Sequence, residues 1–277
     1  MSDANMLTLA VQTYQRLLPE LKNMIVRGNH QNPDQVLEIQ TPTLREVLQA
    51  VQPIPPQTCL VGLCEDNVPF LLDLTGSDTG SLLVTGDPSC GKTQHLKVIA
   101  ESAICLNSPH EVQIAVITNV PDEWANLRET PGYARYFIGI FAWYEQGASD
   151  LVNQLVSLGE DRSSGRHPGA TVLLLVDDLP GVFDADFEIQ NGLHWLLEYG
   201  PCCHIRPVAS MDAQLCPTNP FWVDTFRTFL VGRITSDSLA QSLGLCGVIS
   251  TKELISNHEF SAFTGQAWTR YRLPIRD

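Results

Sequence analysis

Runs of consecutive apolar residues, each cut short by polar ones, alternate along most of the chain with segments whose apolar residues recur every three or four positions. Val172-Leu173-Leu174-Leu175-Val176 is unbroken. A run of that length suits a strand covered on both faces of a parallel sheet. The same criterion predicts strands at Leu60–Leu63, Val68–Asp73, Ser81–Thr85, Val112–Val120, Phe137–Ala142, Thr171–Asp177, Ile205–Ser210, Thr228–Val231 and Ala267–Leu273. Helical spacing predicts helices at Lys92–Leu106, Gly147–Glu160, Phe187–Tyr199 and Ser236–Leu243. Strand–helix alternation of this kind implies a doubly wound α/β sheet.

The first part of the chain is patterned differently. Met6, Leu7, Ala10, Val11, Tyr14, Leu17 and Leu18 share one face of a helix from Met6 to Leu18. Pro19 opens a second short helix to Val26, ended by Gly28-Asn29. A third runs from Thr43 to Val51, with Thr43 and Glu46 spaced as a capping box. Pro53, Pro55 and Pro56 then stiffen a linker. The expected division is a small helical appendage with its linker over 1–56 and the α/β domain over 57–277.

Composition narrows the function classes. The 277 residues hold 17 Lys+Arg against 31 Asp+Glu, a net charge of −14, with 44% hydrophobic and 17% charged residues. That is too apolar for a disordered chain and too acidic for a protein that coats nucleic acid with its whole surface. No apolar run approaches the roughly 18 residues of a membrane span, and Met1-Ser2-Asp3-Ala4-Asn5 lacks the basic start of a signal peptide. A cytoplasmic protein without a transmembrane segment is expected. The eight cysteines include no CxxC pair, and reduced core thiols are expected rather than zinc ligands or a disulfide framework.

Gly86-Asp87-Pro88-Ser89-Cys90-Gly91-Lys92-Thr93 matches GxxxxGKS/T in full. The glycines let the backbone fold closely, so that its N–H groups point inward and cradle phosphates. The following helix aims its positive dipole end at the same anion. Lys92 is placed to reach the β- and γ-phosphates and Thr93 to give its hydroxyl to Mg²⁺. The flanking strand Ser81–Thr85 and helix Lys92–Leu106 are the context this loop requires.

The second chemical feature is the end of the most apolar strand, Asp177-Asp178. Ligands of open α/β sheets bind at the carboxyl ends of the strands. Asp177 is expected to complete the Mg²⁺ site with Thr93, and Asp178 to orient or deprotonate the attacking water. Adjacent strand residues point to opposite faces, so the two carboxylates must have separate roles.

These segments resemble the FtsK/SpoIIIE branch of the HerA/FtsK ATPases. Leu60 to Leu74 is similar to that group's "vGl…d…pv.lDL" lead-in, and Ser81 to Thr93 to its "hllVaG.tGsGKs" segment. Val172 to Pro180 resembles "vvlvDEfa.l", His204 to Met211 "GIhlilATQ", Phe226 to Leu243 "RiafrvssktDSrtil", and Gly265 to Pro274 the closing strand. The resemblance implies a RecA-like P-loop NTPase core and ATP hydrolysis with Mg²⁺ at subunit interfaces. It also implies a homo-oligomeric ring, usually threading duplex DNA; relatives in type VII secretion move protein instead.

The chain departs from that pattern at three places. Asp178 replaces the usual Glu and is one methylene shorter. The sensor Gln falls at Met211, whose thioether is no useful donor to a γ-phosphate. The Arg expected after Asp237-Ser238 is Leu239, with Arg227 and Arg233 as candidate substitutes. Two functions remain open: an ATP-driven ring motor moving DNA or a protein polymer, and a slowly hydrolysing nucleotide-binding switch or assembly module. A small-molecule kinase, the third class using this loop, would need an Arg-rich lid, and only Arg162 and Arg166 lie near a candidate loop. His95 is expected to pack or sit at the surface rather than catalyse, Arg162 to form a salt bridge, and the aromatic stretch Ile138 to Tyr144 to serve core or subunit contact.

Overall fold

In the computed structural model the residues described are 41–166, 169–245, 250–263 and 268–276. The two helices expected before residue 40, the loop residues His167 and Pro168, and Cys246 lie outside them. The strands are β1 (Thr58–Cys64), β2 (Pro69–Asp73), β3 (Ser81–Gly86), β4 (Val112–Thr118), β5 (Phe137–Ala142), β6 (Thr171–Asp177), β7 (Ile205–Asp212), β8 (Phe226–Val231), β9 (Glu259–Phe263) and β10 (Trp268–Arg272). The helices used below are α1 (Leu44–Ala50), α2 (Lys92–Leu106), α3 (Asp122–Glu129), α4 (Gln146–Ser163), α5 (Phe187–Tyr199) and α6 (Asp237–Ser242).

The strands form one sheet in the order β2-β1-β10-β9-β8-β3-β7-β6-β4-β5. From β8 to β5 every neighbouring pair is parallel. From β2 to β8 the pairs are antiparallel. The expected parallel α/β sheet is therefore present and carries an antiparallel extension. Side chains alternate across the sheet, and the packing follows that parity. Leu82 and Val84 of β3, Leu173 and Leu175 of β6, and Val208 of β7 pack with Leu96, Ile99 and Ala103 of α2 and Trp124 of α3. Leu83, Leu174, Val176, Ala209 and Met211 face the other way, against Leu151 and Leu155 of α4 and Leu193 and Leu196 of α5. Complete burial of each such Leu or Val stabilises the fold by about 1.5–3 kcal/mol.

The capping box of α1 forms: Glu46 N–H donates to Thr43 Oγ1 at 3.3 Å, and Thr43 N–H to Glu46 Oε2 at 2.8 Å. Leu44, Val47 and Leu48 pack against Leu60 and Leu63 of β1. The chain end lies alongside, with Leu44 N–H donating to Ile275 O at 2.7 Å. Among the described residues, no helix is long and apolar enough to cross a membrane.

Three elements differ from expectation. β4 stops at Thr118, whose hydroxyl accepts from Val120 N–H, and Pro121 leads into α3. That helix, DEWANLRE, buries only Trp124 and Leu127, too few apolar residues for a periodic signal. β9 was not expected either; it pairs with β8 and β10 and carries the fully buried Phe260. Arg206, inside apolar β7, is fully buried. Its guanidinium donates to the carbonyls of Gly80 (2.6 Å), Leu74 (3.4 Å) and Gly76, and burial lowers its pKa to about 10. Arg162 likewise clamps carbonyls, those of Cys203 (3.1 Å), His204 (2.9 Å) and Ala170 (2.6 Å), rather than a carboxylate.

Of the two non-catalytic places expected for His95 on α2, packing and surface, it takes the first. It is fully buried between Phe260 and Tyr271, with ring centroids 4.5 Å and 5.6 Å away. Its Nε2–H donates to Val61 O at 3.1 Å. Burial lowers its pKa from 6.5 to about 3. The folded state therefore keeps the ring neutral where the unfolded chain already takes up a proton. The resulting stabilisation is complete above pH 6.5 and is lost as pH falls toward about 3. Urea denaturation of His95→Gln, which keeps an N–H donor but does not titrate, is expected to show a flatter loss of stability over that window than the parent.

Candidate functional site

The segment Gly86–Thr93 joins β3 to α2 at the carboxyl edge of the parallel strands. Its turn depends on left-handed backbone at Ser89 (φ 60°) and Gly91 (φ 102°). A Cβ on Gly91 would lie 2.7 Å from Asn257 Cα, so no side chain fits there. Asn257 N–H donates to Cys90 O at 2.9 Å, holding the loop from the β9 side. From the β8 side, Asp87 N–H donates to Arg233 O at 2.8 Å. Asp87 Oδ2 accepts from Thr235 N–H and Oγ1–H, both at 2.8 Å. Asp87 thus fixes the loop, while Pro88 and Ser89 form its exposed rim. Cys90 is buried, and burial raises its thiol pKa, so it stays an unreactive thiol.

Lys92 is largely enclosed, its side chain 13% exposed. Its ammonium donates to Asp87 O at 3.0 Å and pairs with Asp212 Oδ1 at 2.5 Å. Asp212, the last residue of β7, lies opposite Gly86 in the β3–β7 register. Its parity is that of Val208 and Ser210, toward α2. Met211 has the opposite parity and packs in the α4–α5 core. The side chain that reaches the loop lysine is therefore that of Asp212, not Met211. An unbroken buried strand hides this register from sequence, but counting alternate residues back from Asp212 to Val208 is the signal that would have found it.

Thr93 and Asp177 come together as expected. Thr93 Oγ1–H donates to Asp177 Oδ1 at 2.9 Å. Ser210 Oγ–H donates to the same oxygen at 3.0 Å, and Trp124 Nε1–H to Oδ2 at 3.1 Å. Asp177 is 5% exposed. Sequence reading missed Ser210 and Trp124. The Thr93 hydroxyl and Asp177 carboxylate are hard oxygen donors side by side, a set that suits Mg²⁺ completed by water and phosphate oxygens.

Asp178 goes elsewhere. Its backbone is left-handed (φ 70°, ψ 69°) and its N–H donates to Ser210 Oγ at 2.8 Å. Its exposed carboxylate accepts from Asn119 Nδ2 at 2.5 Å, at the end of β4. The structure joins Gly86–Thr93, Asp177 and Asp212 around Lys92 and Thr93, and ties Asp178 to Asn119. Of the two substitute arginines, Arg233 is exposed at the loop edge, whereas Arg227 lies against Gly80 at the opposite end of β8. Leu239 packs with Val231, Ile234 and Ala240 under α6.

No family model matches the chain, and no curated protein matches it. Solved structures do. EccC from Thermomonospora curvata (ATPases 2 and 3, in complex with a signal sequence peptide) aligns with a TM-score of 0.65 at 18% identity, over 85% of this chain and 42% of that one. EssC (ATPases 2 and 3) from Geobacillus thermodenitrificans aligns at 0.63 and 12% identity, over 81% and 48%. The pCW3 conjugation coupling protein TcpA, in its monomer form with ATPgS, aligns at 0.59 and 15% identity, over 79% and 66%. This chain spans less than half of the EccC and EssC chains. The fold is thus the α/β fold of RecA-like P-loop ATPases.

The Trp124 indole is the donor that ties α3 to the Asp177 carboxylate. Trp124→Phe keeps most of the ring and removes one charge-assisted hydrogen bond. Urea denaturation is expected to show a loss of about 1.5–3 kcal/mol.

Proposed function

We propose that this protein is an ATP-binding P-loop ATPase of the FtsK/SpoIIIE type. The observation that carries the reading is the Thr93–Asp177 hydrogen bond of 2.9 Å, which joins the end of the phosphate loop to the acidic end of β6 beside an enclosed Lys92. In this reading the backbone of Gly86, Asp87, Pro88, Ser89, Cys90 and Gly91 cradles the phosphates, and Lys92 neutralises their oxygens. Thr93 and Asp177 hold Mg²⁺, which supplies positive charge against the phosphate oxygens. Asp178 is the candidate acceptor of the water proton and must part from Asn119 to serve. TcpA, a protein of this fold, was solved with ATPgS, which supports the choice of nucleotide.

The resemblance extends the proposal to a homo-oligomeric ring that couples hydrolysis to translocation. A conjugation coupling protein and a type VII secretion ATPase both share the fold, so duplex DNA and a protein polymer are both candidate cargoes. Two contacts favour a second reading, a slowly hydrolysing switch or assembly module: Lys92 is engaged by Asp212, and Asp178 by Asn119.

Calorimetry is expected to show uptake of ATP in the presence of Mg²⁺, weakened on the order of 10–100-fold in Lys92→Ala through loss of charge-assisted hydrogen bonds. No uptake of any adenine or guanine nucleotide overturns the proposal. A steady-state hydrolysis rate that duplex DNA stimulates and Lys92→Ala abolishes supports the motor. Tight binding with no turnover supports the switch. Native mass measurement with and without ATP and Mg²⁺ tests the ring.

A further inference from the structure

The Lys92–Asp212 pair stands at the centre of the phosphate site and has a consequence for which nucleotide the site prefers. We propose that Asp212 is a specificity residue that favours a nucleoside diphosphate over the corresponding triphosphate. The inference rests on the nucleotide-binding reading and deepens it.

The argument is a count of donors. A lysine ammonium has three N–H donors and no acceptor. Two of those on Lys92 are taken, by Asp87 O at 3.0 Å and by Asp212 Oδ1 at 2.5 Å. One remains. A β-phosphate oxygen can use it while both existing contacts stay in place. A triphosphate asks the same ammonium to serve a γ-phosphate oxygen as well, and the donor must come from the Asp87 carbonyl or from Asp212. Giving up the Asp87 contact leaves the γ-phosphate beside the Asp212 carboxylate, and displacing Asp212 leaves it there as well.

Displacement is costly for a second reason. Asp212 is fixed by strand register opposite Gly86, with its side chain on the α2 face. It is the terminal residue of a buried strand, anchored by the buried Ser210 and Met211 before it and by Ala213 after it. Its backbone carbonyl also accepts from Cys216 Sγ at 3.8 Å. The carboxylate can turn about its side-chain bonds but cannot leave the neighbourhood of the lysine. Its negative charge opposes the γ-phosphate whether or not the ion pair survives, whereas a diphosphate brings no third phosphate charge to the same ammonium. An amide at this position would keep the shape and remove the charge.

The test is calorimetric titration of the full chain with ADP and with ATP, each with Mg²⁺, in the parent and in Asp212→Asn. The parent is expected to bind ADP more tightly than ATP by on the order of tenfold, the scale of one partly screened charge contact. Asp212→Asn is expected to bring the two affinities together, mainly by tightening ATP. A parent that binds both nucleotides equally overturns the inference and leaves the nucleotide-binding reading intact. So does an Asp212→Asn variant that weakens both alike, which is what a purely structural role would do. A parent that binds neither of these nor any guanine nucleotide overturns the underlying reading itself. Should Asp212→Asn fail to fold, Asp212→Gln gives the same comparison, and the parent's own ADP-to-ATP ratio needs no variant.

Discussion

The Asp177 carboxylate, buried at the end of β6, receives hydrogen bonds from three separate elements: Thr93 on α2, Ser210 on β7 and Trp124 on α3. A buried ionised carboxylate is costly unless its lone pairs are occupied. Here the occupants come from one helix that begins at the phosphate loop, one neighbouring strand and one short helix with little apolar surface of its own. Satisfying the carboxylate therefore sets the start of α2 against the sheet, and with it the direction in which the loop amides point. All three donors are neutral, so hydrogen bonding fills the lone pairs without cancelling the charge. Lys92 does not cancel it either, because its ammonium pairs with Asp212. Two carboxylates thus share the surroundings of one ammonium, and a triphosphate entering alone would meet a site already short of positive charge. Mg²⁺ at Thr93 and Asp177 would ease that shortage without removing the Asp212 charge beside Lys92.

Strand parity does the rest of the arranging. In β6, Leu173, Leu175 and Asp177 fall on the α2 face, while Leu174 and Val176 fall on the α4–α5 face. In β7, Ser210 and Asp212 share the α2 face and Met211 does not. Each strand enters the site with one residue per pair directed at the loop and the other committed to the opposite core. Ser210 links the two strands twice, donating to Asp177 and accepting from Asp178 N–H. A one-residue slip of β7 would bring Met211 to the lysine and bury the Asp212 carboxylate in the apolar core, which is why register here is strongly specified.

Most of the parallel sheet was legible because its strands are buried on both faces and so read as unbroken apolar runs. The same property concealed the site's finer detail. An unbroken run such as Val172–Val176 shows that a strand exists but not which residues face which core; the resemblance put the sensor position at Met211, whereas Asp212 is the residue that reaches Lys92. α3 went unread because two buried side chains in a charged octapeptide leave no periodicity, yet one of them, Trp124, reaches Asp177. β9 went unread because its burial comes from pairing between β8 and β10, a long-range fact. Arg162 was expected to form a salt bridge and instead, like Arg206, donates to backbone carbonyls, an arrangement set by tertiary neighbours. The contact of Thr93 with Asp177 was legible because a glycine-rich turn ending in Lys-Thr and an apolar strand ending in an acid are marked by residue identity as well as spacing.

The shortening of the acidic residue after Asp177, from the Glu of the resembled family to Asp178, has a backbone reason in this structure. Asp178 is left-handed at φ 70°. Among residues other than glycine, Asp and Asn are the ones that accept this region most readily, because their short polar side chains bond locally. The left-handed step ends β6 and turns the chain into the segment Leu179–Asp184, whose first turn is closed by Gly181 N–H donating to Asp178 O at 3.0 Å. Trp143 Nε1–H donates to the same carbonyl at 3.3 Å. The backbone of Asp178 is thus held on both sides, and its carboxylate is directed to Asn119. A Glu at this position would have to accept the same left-handed backbone with a longer side chain less suited to it. An Asp at this position combines a carboxylate with the left-handed turn, and any movement of the Asp178 side chain away from Asn119 must leave that turn in place.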